Sequence, residues 1–158
     1  MTAPQVHQLP PAVTAGLRGK LRLAVVSAAL LAVLFAAGAA AGLLIAPHVA
    51  GLGILLAAAY LTGLLLALGV WSAARRGRRA VGPEGIGLAD GRRARSVAHR
   101  YTRLSRIAAA LTAVAAIVLA FTLGDVSLLF IGVLSAFPLL SLASVAHGVT
   151  HRLARNLP

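Results

Sequence analysis

Four long apolar stretches, separated by short polar or basic segments, set the pattern of this chain. Residues 23–46 are apolar throughout apart from Ser27, and residues 49–73 repeat the pattern up to Trp71. Residues 107–123 form a shorter third stretch, and 126–146 a fourth with Pro138 near its middle. Each approaches the roughly 20 residues that an α-helix needs to cross a ~30 Å hydrocarbon core. Pro47 and His48 separate the first two stretches, and Gly124 and Asp125 the last two. Such connections are too short for anything but helical hairpins.

The pattern predicts an all-α fold, a polytopic four-helix transmembrane bundle with one hairpin over 23–73 and another over 107–146. Residues 1–22 hold Pro4, Pro10 and Pro11 without apolar periodicity and read as a disordered basic N-terminal arm. Residues 74–106 read as a basic loop and 147–158 as a basic tail. Inside the loop, residues 80–91 carry four glycines and Pro83, the composition of a flexible linker. Residues 92–106 then change period. Ala94, Val97, Ala98, Tyr101 and Leu104 recur at helical spacing among arginines, which predicts an amphipathic helix lying in the membrane interface, with Asp90 as its N-cap. Pro138 removes a backbone donor and is expected to kink the fourth span. The apolar run after Arg22 exceeds a signal-peptide core of about 7–15 residues, so the first helix is expected to be retained.

Charge orients this picture. Fifteen Lys and Arg stand against three acids, for a net charge of +12. In a soluble chain that excess points to nucleic acid. Here 59% of residues are hydrophobic and the bases sit beside the apolar stretches, so anionic lipid headgroups are the expected partner and nucleic acid is not. Arg75, Arg76, Arg78, Arg79, Arg92, Arg93, Arg95, Arg100, Arg103 and Arg106 are the expected lipid contacts. A bundle with both termini inside puts every Lys and Arg on the cytoplasmic side, as the positive-inside bias requires. The Arg, Ala and Gly bias points to a bacterial source, hence to a multi-pass protein of the cytoplasmic (inner) membrane.

Helices in lipid associate through close packing of small residues. Gly38 and Gly42 in the first span, Ala59 and Gly63 in the second, and Ala113 and Ala116 in the third are the expected packing positions. They would join the helices of one chain, or join it to copies of itself or to a larger membrane complex.

Chemistry is sparse. None of the four stretches holds an acid or base away from its ends, whereas proton-coupled transport uses membrane-embedded ionisable groups. Glu84, Asp90 and Asp125 cannot form a catalytic pair when Asp125 lies across the membrane, and no cofactor motif is legible. His147 and His151 are four apart, a spacing able to hold a metal, yet further ligands are missing and no metal is expected. Ser141 and Ser144 could form a polar track. The expected function is a non-catalytic accessory, assembly or scaffolding component. The alternative is an oligomeric channel or transporter with a Ser/Thr-lined path, and an intramembrane lipid-handling enzyme is the remotest reading.

Overall fold

The computed structural model describes residues 6–158. Its elements are β1 (Val6–Gln8), α1 (Pro11–Ile45), α2 (Ala50–Ala80), β2 (Gly85–Gly87), α3 (Leu88–Leu123) and α4 (Ser127–Asn156). The fold is all-α apart from a short antiparallel ribbon that pairs Val6 with Gly87, His7 with Ile86 and Gln8 with Gly85. Four helices are long and apolar enough to cross a membrane, the make-up of a multi-pass membrane protein.

The helices overrun their apolar stretches. At about 1.5 Å per residue, α1 and α3, of 35 and 36 residues, measure over ~50 Å against a hydrocarbon core of ~30 Å. All the excess lies at one end, which holds both described termini and the α2–α3 connection. This basic end differs from expectation in three ways.

Residues 11–22, read as disordered, are the first three turns of α1, while residues 1–5 lie outside the described part. Pro11 does not oppose the helix: at the first helical position its missing N–H has no partner to lose. Thr14, Leu17 and Leu21 then present one buried face. Residues 92–106 are not a separate interfacial helix either, but the first half of α3. Gly91, Ala94, Ala98, Thr102 and Ser105 are buried and continue in register into Ala109, Thr112, Ala116 and Ala120. Of the apolar positions expected at helical spacing, Ala94 and Ala98 lie on this buried face, Val97 and Tyr101 are half-buried, and Leu104 is exposed. What covers the buried face is the overlength of the neighbouring helices. The linker, finally, is ordered by Ile86, which is fully buried. Gly85 has φ +150°, and a side chain there would strike the His7 carbonyl, so β1 can pair only with glycine at this point. Asp90 lies inside the first turn of α3 and not at its N-cap, which is Gly87.

At the opposite end, Gly124 closes α3 in the left-handed conformation at φ +67°. α4 runs as one helix through Pro138 and takes in most of the expected tail.

α1 packs on α2 and α3 on α4, while α2 also contacts both α3 and α4; α1 and α3 occupy opposite corners. The apolar windows of α2 and α4 are accordingly 39% buried, against 22% in α1 and α3. Three apolar clusters stack along the axis. The turn end is filled by Leu55, Ala116, Ala120 and Leu128, and the middle by Phe35, Val70, Leu139 and Leu142. The basic end is filled by Leu17, Leu21, Ile86, Val149 and Leu153, together with small residues.

Candidate functional site

The small residues named from sequence fall at helix seams. A methyl added at Gly38 would meet the Tyr60 ring, one at Gly42 the backbone of Ala57, and one at Gly63 the ring of Phe35. Phe35 and Tyr60 stack edge to face at 5.8 Å between centroids. Ala59 is buried, and Ala116 packs against Gly132 of α4. Ala113 is only half-buried, one step off the buried stripe. Gly132 and Gly69, which seats Tyr101, carry close approaches that spacing within α1–α3 did not single out.

Ser141 and Ser144 do not line an interior path. Their hydroxyls donate to Phe137 O at 3.0 Å and Leu140 O at 3.1 Å, within their own helix, and Ser144 faces outward. The hydroxyls turned inward among the described residues are Thr14 near the start of α1, Thr102, Ser105 and Thr112 on α3, and Ser135 on α4. Thr102 and Thr112 donate to the carbonyls four residues back, Ala98 O and Ala108 O. Ser105 Oγ and Ser135 Oγ are buried without a hydrogen-bond partner among the described residues. The signal for the α3 hydroxyls was present in sequence: they continue the small-residue stripe at i+3 and i+4.

His147 and His151 lie on one exposed face with ring centroids 6.2 Å apart. Among the described residues, no three His or acidic side chains gather as a metal site. Asp125 stands at the turn end, where its carboxylate accepts from the Ser127 hydroxyl and the Ser127 N–H. These two bonds, the hydroxyl's first, hold its pKa below the usual 3.8.

The arginines make the most organised feature. Each of the four contacting seams around the bundle opens, at the basic end, into a cleft lined by bases. Between α1 and α2 the cleft has a volume of about 660 Å³ and is lined by Arg18, Arg22, Arg78 and Arg79. Between α2 and α3, Arg76, Arg79 and Arg93 share one of about 510 Å³ with Asp90. Arg92, Arg95 and His99 line the α3–α4 cleft, and Lys20, His151, Arg152 and Arg155 the α4–α1 cleft. Two guanidiniums tie elements together: Arg18 Nη2 donates to Val81 O at 2.9 Å, and Arg152 Nη1 to Lys20 O at 3.0 Å. Arg75 lies over the Trp71 ring at 5.1 Å, close enough for a cation–π contact. All ten arginines named from sequence are solvent-exposed. Arg18, Arg22, Arg152 and Arg155 join them at this end, and treating the first 22 residues as an arm hid the first two.

The basic surface is not level. Gly69 faces Tyr101 and Gly63 faces Phe35. Counting along antiparallel helices, Arg106 on α3 falls beside Leu64 on α2 and so level with Leu34 on α1. Leu34 is an exposed apolar residue, and α1 stays apolar on its outer face as far as Leu23. From Leu34 to Arg22 is roughly 18 Å along the helix. Arg100, Arg103 and Arg106 therefore begin the polar surface much nearer the turn end on the second hairpin than Arg22 does on the first.

No protein-family model, curated protein or solved structure matches the chain.

Proposed function

We propose that this is a bacterial cytoplasmic-membrane protein with both termini and the α2–α3 connection inside. Its role is that of a non-catalytic accessory, assembly or scaffolding component. The observation that carries the membrane reading is a girdle of exposed large apolar side chains around all four helices. It includes Leu44 at 75% exposure, Leu65 at 70%, Phe121 at 82% and Phe137 at 71%. In water such a surface far exceeds what a soluble monomer leaves open; in lipid it is solvated. Every Lys and Arg lies toward the basic end and none at the turn end, which is the bias that orients a short-looped protein.

The non-catalytic reading is supported by what the helices enclose. Among the described residues the buried polar side chains are five hydroxyls, and no titratable group is buried between the helices. Reactive chemistry and ion coupling both rely on such groups. Mild-detergent purification from the native host is expected to bring down other membrane chains in fixed proportion. Recovery of a lone homo-oligomer would overturn the accessory role.

A second reading, an oligomeric channel, draws on the unpartnered Ser105 and Ser135 hydroxyls. It requires proteoliposome flux that Ser105→Ala or Ser135→Ala reduces. A tight reconstituted bilayer would dispose of it.

A further inference from the structure

We propose that the α1–α2 cleft at the basic end is a binding site for a phosphate group, filled in the membrane by the headgroup of an anionic phospholipid. Four guanidiniums from two helices converge on it: Arg18 and Arg22 from one turn to the next of α1, and Arg78 and Arg79 in succession on α2. Among the described residues no acidic side chain lines it, unlike the neighbouring α2–α3 cleft, which holds Asp90. Arg18 is held in place by its bond to Val81 O, so part of the site is fixed before any ligand arrives. The floor is small: Ala15 and Gly19 face the cleft, and a Cβ built at Gly19 meets nothing within 4 Å. Four like charges around an open space attract an anion with several acceptor oxygens. The planar, forked donors of Arg match phosphate in geometry as well as charge.

The position supplies the likeness to a headgroup site. Arg22 is followed by Leu23, which is 65% exposed and begins the apolar girdle on α1. A phosphate in the cleft thus sits where the acyl chains of the same molecule would run along α1. This rests on the membrane reading for the source of the phosphate, but not for the recognition itself.

The test uses the full chain in two settings. In vesicles of phosphatidylglycerol and phosphatidylcholine, followed by gentle extraction and native mass spectrometry, the wild type is expected to retain phosphatidylglycerol. Arg22→Gln/Arg78→Gln, which spares the Arg18 bond, is expected to weaken retention on the order of tenfold. Arg92→Gln/Arg95→Gln removes the same charge from the α3–α4 cleft and is expected to leave it within about twofold. Gly19→Trp fills the cleft without changing charge, at an exposed helical position where replacing glycine favours the helix. It too is expected to lose lipid, which keeps the proposal exposed should the double glutamine variant misfold.

In detergent, inorganic pyrophosphate titrated at constant ionic strength distinguishes the sources. Tight, cleft-dependent binding assigns the site to a soluble phosphate, and weak binding beside strong lipid retention assigns it to the headgroup. Equal losses in both arginine pairs, or full retention by Gly19→Trp, would overturn the site. A chain that proves not to insert in membranes would fail the functional reading, while pyrophosphate binding would still report on the cleft.

Discussion

The two hairpins are alike at their turns and unlike at their basic ends. α1 and α2 meet through Gly38, Gly42 and Gly63, and α3 meets α4 through Ala116 and Gly132, so both close tightly. Yet the outer face of α1 stays apolar to Leu23, whereas that of α3 turns basic at Arg106, roughly 18 Å nearer the turn end. In a membrane such a mismatch would favour tilting of the bundle toward the α3 side and arginine side chains reaching back to the headgroups. Helix length and span length are separate properties here. α1 and α3 differ by one residue in length, but their apolar outer faces, residues 23–45 and 107–123, differ by six residues, or about 9 Å.

The comparison can be broken most sharply at the shared basic-end core. Leu153 is fully buried there, and Leu153→Ala is expected to cost about 2–5 kcal/mol by transfer and cavity terms. Leu44→Ala on the exposed face of α1 is expected to fall within ~0.5 kcal/mol. Thermal unfolding in one detergent compares them directly; equal effects would mean that the basic end is not a packed core. Next comes the turn-ward half of the first hairpin. Gly42→Ala puts a methyl against the Ala57 backbone and is expected to cost about 1–3 kcal/mol, whereas Gly148→Ala on α4 meets nothing and is expected to be neutral or mildly stabilising.

A smaller effect sharpens the mismatch itself. Arg103→Leu/Arg106→Leu extends the apolar face of α3 to match α1. A fluorophore on a cysteine at His99 should then move deeper into the bilayer by about one turn, ~5 Å, as read by depth-dependent quenching. No movement would mean that tilt does not follow the arginines. The smallest effect belongs to Asp125. Its pKa is lowered in the folded chain, so its contribution is present above the ordinary 3.8 and is lost as pH falls through the lower folded value. Asp125→Asn should therefore lower stability slightly at neutral pH and flatten the profile below about pH 4, the ordinary carboxylate range, where the two chains converge.

Much of the fold was legible in the sequence, because length and hydropathy are properties of single helices. The four apolar stretches, the tight turns and several packing glycines needed no knowledge of neighbours. The basic end was not legible for the opposite reason. Pro10 and Pro11 read as breakers until the position of Pro11 at the helix start is known. The face through Ala94 and Ala98 reads as a membrane-facing surface until α2 and α4 prove long enough to cover it. The converging arginines of α1 and α2 are about 60 residues apart in sequence, and only the hairpin register brings them to one cleft.

The central claim is a four-span bundle with its basic end inside. The chain has no cysteine, so single substitutions give a clean reading. Ala15→Cys and Ser96→Cys sit at the basic end, His48→Cys and Ser127→Cys at the turn end. In intact cells treated with a membrane-impermeant maleimide, positions 48 and 127 are expected to label, and positions 15 and 96 only after permeabilisation. Labelling of 15 or 96 from outside, or of all four alike in sealed cells, would contradict the account.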